Sequence, residues 1–249
     1  MSERKKIAIV TGASSGMGRA FVQQIMDKYR RIDEIWVIAR HLQKEMWKER
    51  FGTKIVPLSL DLLQEQSQEQ LRRRLFAEDV RVKILVNAAG MGRIGTFEEI
   101  TLPEHQQTTR LNDEALMTVT YLCLPYMRKD SRVVQMASAS AFVPQPGFAV
   151  YAASKAYVMS FSRALRSEVR KKGITVVVCL GILIICIIFV NCRCTCNHCC
   201  CSDHNSCHCQ NKHQSQYSTL FHLLFLLLKI NCTKKYNYNL SAFFRILSV

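Results

Sequence analysis

From residue 182 to residue 249 the chain has no glycine, no proline and no glutamate, and a single alanine, Ala242. At average usage of about 7% glycine and about 5% proline, a stretch of that length holds roughly five of the first and three of the second. Their joint absence argues against a second ordinary globular domain there. Cysteine is just as unevenly placed. Of 12 cysteines only Cys123 lies in the first 178 residues, and the other eleven lie from Cys179 onward, so a disulfide framework is excluded for the first part of the chain. A secretory leader is not evident either. Residues 1–6 are polar and charged, and the apolar run 7–10 is too short for a leader's apolar core, so a reducing cytosolic setting with free thiols is expected.

What is present points to one α/β domain. The 249 residues are 49% hydrophobic and 21% charged, which rules out collagen-like, coiled-coil and wholly disordered chains. A formal net charge of +15, from 34 Lys and Arg against 19 Asp and Glu, calls for an anionic partner: a phosphate-bearing cofactor, a nucleic acid or a membrane surface. Apolar runs at 7–10, 35–38, 54–58, 84–86, 132–136 and 174–179 read as strands. Amphipathic stretches at 18–29, 64–76, 103–127 and 151–171 read as helices between them. Strand and helix in alternation predict a doubly wound, Rossmann-type parallel sheet with helices on both faces. The predicted boundaries are 1–181 for this domain and 182–249 for a Cys-rich, apolar tail.

Between the first strand and the first helix stands Thr11-Gly12-Ala13-Ser14-Ser15-Gly16-Met17-Gly18. A glycine-rich turn at this place lets the backbone approach a pyrophosphate, and the helix that follows directs its unpaired N–H groups and positive dipole end at the anion. Its spacing, Gly-x-x-x-Gly-x-Gly, together with later residues, resembles the classical branch of the short-chain dehydrogenase/reductase family. Asp61 resembles the acidic residue that contacts adenine, and Asn87-Ala88-Ala89-Gly90 resembles the family's Asn-x-Ala-Gly element. Asn112 lies where the family has its catalytic Asn, Ser138 lies 13 positions before Tyr151, and Tyr151-Ala152-Ala153-Ser154-Lys155 matches Tyr-x-x-x-Lys.

The resemblance implies an oxidoreductase that moves a hydride between a nicotinamide and a ketone or secondary alcohol. Tyr151 and Lys155, at i and i+4, project from one face of one helix. Tyr151 is then the general acid/base, and Lys155 stabilises charge on its oxygen and bonds the nicotinamide ribose. Ser138 holds the substrate oxygen, with Ser140 as a rival for that role. Asn112 fixes a water between Lys155 and solvent. The cofactor residues carried over are Gly12, Ser14, Ser15, Gly16, Met17, Gly18, Arg40, Asp61, Asn87, Ala88 and Gly90, with Tyr151 and Lys155. At the end of the second strand Ala39 supplies no carboxylate and Arg40 supplies a cation, which favours NADP(H) over NAD(H). The apolar segment 142–148 suggests an apolar carbonyl or alcohol substrate. Other readings of single residues stay open: Asn112 as a helix-surface residue, Asp61 as a strand end or helix cap, and Arg40 as a solvated cation; His41 and His105 read as surface residues. A homo-oligomer paired through the helices 103–127 and 151–171 is implied, and no nucleic-acid partner or metal site is expected.

The resemblance covers about residues 4–181. Leu180-Gly181 stands where the family has Pro-Gly, and the family's substrate lid, further helix and seventh strand have no counterpart after it. A catalytically impaired dinucleotide-binding fold is therefore the competing expectation. The tail reads as the product of a shifted frame, an unspliced intron or an untranslated region. Residues 174–190 carry no charge and sit between Lys172 and Arg193, at the lower limit for a membrane anchor. The cysteines of 192–209, with His198, His204, His208 and His213, have zinc-ligand chemistry but no ligand spacing that frames a tetrahedron.

Overall fold

The apolar runs form the centre of a sheet covered on both sides. A computed structural model describes residues 4–42, 47, 49 and 51–180. Its strands are β1 (Lys6–Thr11), β2 (Glu34–Ala39), β3 (Lys54–Ser59), β4 (Arg81–Asn87), β5 (Arg132–Ala137) and β6 (Thr175–Leu180). All pair in parallel in the order β3-β2-β1-β4-β5-β6. Alternate residues serve opposite faces. Ile7 and Ile9 pack with Leu71 and Leu75 of α2 (Glu65–Glu78), and Ala8 and Val10 pack with Val22, Ile25 and Met26 of α1 (Gly16–Lys28). With both faces buried, a strand must be apolar throughout, which is why β1 and β2 lack the alternation of a half-exposed strand. Sheet order reverses direction between β1 and β4, and the crevice at their carboxyl ends is where doubly wound folds bind ligands.

The expected helix 103–127 is not one helix. It is α3 (Leu102–Thr109), a π-helical turn Arg110–Ala115, α4 (Leu116–Cys123) and a 3-10 turn Leu124–Tyr126. A capping box joining Thr101 and Glu104 starts α3. The expected helix 151–171 begins two residues earlier, as α5 (Ala149–Val169), and tightens into a 3-10 turn at Arg170–Lys172. The first helix starts at Gly16 and α2 at Glu65, and the strands extend by a residue or a few at their ends.

Among the described residues no helix is long and apolar enough to cross a membrane. Residues 175–180 of the candidate anchor are strand β6, paired with β5 from Arg132↔Thr175 to Ala137↔Leu180, which removes them from any helical span. Residues 181–190 of that anchor, the domain boundary at 181/182, the zinc-like cluster and the whole of 182–249 lie outside the described residues.

Candidate active site

The glycine turn is built to leave the end of α1 open. Gly12 has φ +64°, and a Cβ there would stand 2.7 Å from the Ala88 carbonyl oxygen and the Ala89 nitrogen, so only glycine lets β1's exit pass against β4's exit. Gly18 closes the same turn from below, because a Cβ on it would meet the Gly12 carbonyl. Thr11 holds the two exits together: its Oγ1 accepts from the Ala88 and Ala89 N–H groups, both at 3.1 Å. Ser15 occupies the cap position of α1 with extended backbone angles, but its side chain makes no capping bond, and no acid lies in the first turn. The N–H groups there are left for an anion. The Ala13 N–H bonds the Ile38 carbonyl at 3.3 Å, which ties the turn to the end of β2, just before exposed Arg40.

Tyr151 and Lys155 share one face of α5, with the Lys155 Nζ 5.6 Å from the Tyr151 ring centre. Both line an open cavity of about 320 Å³ with Ser138, Met17, Gly90 and Met136. Four separate parts of the sequence thus converge: the glycine turn, the exit of β4, the exit of β5 and helix α5. Lys155 is 6% exposed, and its Nζ donates to the Met136 carbonyl at 3.0 Å. Burial lowers its pKa to about 8, against the opposing pull of Asp113. Ser138 is held by its neighbour: its Oγ donates to Ser140 Oγ at 3.2 Å and accepts from the Ser140 N–H at 3.3 Å. Ser138 lines the cavity, and Ser140 is hydrogen-bonded behind it.

Asn112 is fully buried on the π turn, not on a helix surface. Its Oδ1 accepts from the Met91 N–H at 2.9 Å, while its Nδ2 donates to the Met91 carbonyl at 2.8 Å and to Ser154 Oγ at 2.9 Å. The side chain thereby staples the β4 exit to α5, and the widened turn supplies the room for it. Such π turns inside helices often mark functional sites. Beside it, Asp113 has a buried Oδ1 without a partner among the described residues, and burial raises its carboxyl to about 6 against the pull of Lys155.

Other expected residues stand elsewhere. The side chain of Asn87 is committed to the core: it is 2% exposed, and its Nδ2 donates to Thr120 Oγ1 at 2.9 Å and Gln135 Oε1 at 3.0 Å. Asp61 caps the turn before α2, accepting from the Leu63 N–H at 3.1 Å. His41 is exposed, but His105 is not a surface residue. It is 9% exposed, stacks on Phe97 at 4.6 Å, and its Nε2 lies 3.0 Å from the Phe97 carbonyl oxygen, because the segment before α3 folds back over that helix. One contributor had no expected role. A Cβ on Gly92 would stand 2.7 Å from Tyr151 Cδ2, so this glycine is the floor on which the tyrosine ring rests. The only sequence signal was its place just after Asn87-Ala88-Ala89-Gly90.

The sequence and fold are similar to those of known proteins. The short chain dehydrogenase family model matches residues 6–184, and the chain belongs to that family. It is 32% identical over 181 residues to acetoacetyl-CoA reductase of an Acinetobacter species, covering 71% of this chain and 73% of that protein. It is 29% identical over 176 residues to hydroxynaphthalene reductase arp2 of Aspergillus fumigatus, covering 69% of this chain and 63% of that protein. A solved short-chain dehydrogenase from Streptomyces avermitilis superposes with a TM-score of 0.61 at 31% identity, over 71% of this chain and 65% of that one. The chain thus matches 63% of the fungal reductase's length and 73% of the bacterial reductase's.

Proposed function

We propose that the chain is an NADP(H)-dependent oxidoreductase that interconverts a ketone and a secondary alcohol with apolar substituents. The observation that carries this reading is the convergence of Ser138, Tyr151 and Lys155 on one cavity that also reaches Met17 of the glycine turn. The open first turn of α1, with Gly12 and Gly16 both at positive φ, suits a pyrophosphate. Arg40, preceded at the end of β2 by Ala39 instead of a carboxylate, suits a 2′-phosphate. Asp61 suits the adenine. When bound, the nicotinamide supplies or takes the hydride.

The chain's own groups handle the proton. Ser138 Oγ, fixed by Ser140, orients the carbonyl oxygen. Tyr151 Oη delivers a proton to that oxygen during reduction, and the Lys155 ammonium stabilises the phenolate left behind. In the oxidation direction the same proton returns to Tyr151. Asn112 holds the turn that borders Lys155 and with it the path of that proton to solvent. Exposed Tyr121, Met117 and Tyr157 on α4 and α5 support a homo-oligomer paired on these helices. The test is NADPH binding by fluorescence, followed by turnover over a panel of apolar ketones. Turnover in the wild type, lost by about 100-fold or more in Tyr151→Phe with NADPH binding retained, supports the assignment. Binding with no turnover in the wild type refutes the enzyme and leaves a nucleotide-binding fold.

A further inference from the structure

The cavity lies at the carboxyl ends of the strands; the opposite edge of the same sheet has a chemistry of its own. Segments 81–83, 128–132 and 170–173 hold eight Lys or Arg and one carboxylate, Asp130. The topology brings all three together. Arg132 pairs in register with Ile84 on one side and Thr175 on the other, the Asp130 N–H bonds the Gly173 carbonyl at 3.0 Å, and Arg81 Nη2 donates to the Lys129 carbonyl at 3.0 Å. Acids of this edge collect at its other half, by β1 and β2. There Glu34 and Glu78 pair with Lys5, Asp79 pairs with Arg4, and Asp33 accepts from the Lys6 N–H. Among the described residues none of the eight cations is in a salt bridge. Lys129, Arg170, Lys171 and Lys172 are exposed. Burial and the neighbouring Arg81 lower the pKa of Lys83, with Lys6 and Arg132 adding to the repulsion and Asp130 opposing it.

We infer that this edge, at the amino ends of β4, β5 and β6, is a docking surface for an anionic phospholipid bilayer. Seven net positive charges on three adjacent strand entries match a sheet of negative headgroups. Nucleic acid fits less well. None of the three segments contains an aromatic ring for a base to stack on, and the Tyr29 ring beside them is already engaged by Arg132, which lies 5.7 Å from its centre and bonds its hydroxyl. Docked on this edge, the chain presents the Ser138–Tyr151–Lys155 cavity away from the lipid, open to substrate and cofactor.

The experiment is sedimentation of the full chain with vesicles of mixed phosphatidylserine and phosphatidylcholine, beside vesicles of phosphatidylcholine alone, at low and physiological salt. Two variants remove the same charge from different places: Lys171→Gln/Lys172→Gln from this edge, and Arg72→Gln/Arg73→Gln from exposed α2. The expected result is salt-sensitive binding to the mixed vesicles only, weakened about 30-fold in the first variant and little changed in the second, at roughly 5-fold per cation. Unchanged thermal melting of both variants shows that folding is intact. Equal losses in the two variants, equal binding to pure phosphatidylcholine, or no vesicle binding overturns the inference. So does binding of a single-stranded RNA that is lost in the first variant while vesicles are ignored.

Discussion

Lys155→Met is the substitution in which the electrostatics of the site become measurable apart from turnover. Burial lowers this ammonium from its usual 10.5 to about 8. A difference of about 2.5 pH units corresponds to about 3 kcal/mol by which the folded chain disfavours the charged form. Methionine has nearly the same length, is uncharged and adapts to irregular apolar space. The change also deletes the hydrogen bond to the Met136 carbonyl, which costs about 1 kcal/mol. The variant is therefore expected to be more stable than the wild type at pH 7 by about 2 kcal/mol, raising Tm by roughly 4–8 °C for a domain of this size. The sign depends on pH. Because the folded pKa lies below the unfolded one, the penalty is complete below about pH 8 and fades as pH rises toward 10.5, so the variant's advantage must shrink over that interval. Thermal melts of both chains across pH 6.5 to 10 measure it directly. A Met variant less stable than wild type at pH 7, or a gap that does not change with pH, refutes the reasoning. Turnover in the same variant is expected to be lost, a gain in stability bought at the site's expense.

Gly92→Ala places a methyl 2.7 Å from the Tyr151 ring and is expected to lower kcat by at least tenfold while NADPH affinity stays within a few-fold, because the cofactor turn is untouched; an unchanged kcat removes Gly92 from the site. Asn112→Ala strands the Met91 N–H and carbonyl and leaves a polar hole beside Ser154, and a loss of about 2–3 kcal/mol in urea denaturation is expected, against under 1 kcal/mol if the residue were the surface position its sequence context allows. Arg40→Asp is expected to shift the preference between NADPH and NADH by at least tenfold toward NADH, read as the ratio of dissociation constants; an unchanged ratio assigns Arg40 to solvent alone.

The relation between sequence and structure is clearest at the two ends of the sheet. Uninterrupted apolar runs such as 7–10 determined a sheet buried on both faces, since only a strand with no solvent side can be apolar at every position. Glycine spacing after the first run determined the tight turn into α1, and the i, i+4 separation of Tyr151 and Lys155 determined that they share a helix face; each is a property of a dozen residues or fewer. Everything that depends on which segment lies beside which was decided by the tertiary structure. The π turn at Arg110–Ala115 exists because Asn112 reaches Met91 and Ser154, contacts 21 and 42 residues distant, so the periodicity of 103–127 showed an unbroken helix instead. His105 reads as a surface residue until Phe97 folds over it. The Lys155 ammonium is short of water because β5 and the exit of β4 close around it, and eight cations scattered over ninety residues become one surface because β4, β5 and β6 are neighbours. Local spacing sets what a segment can form, but burial and charge density arise from strand order, which no single segment encodes.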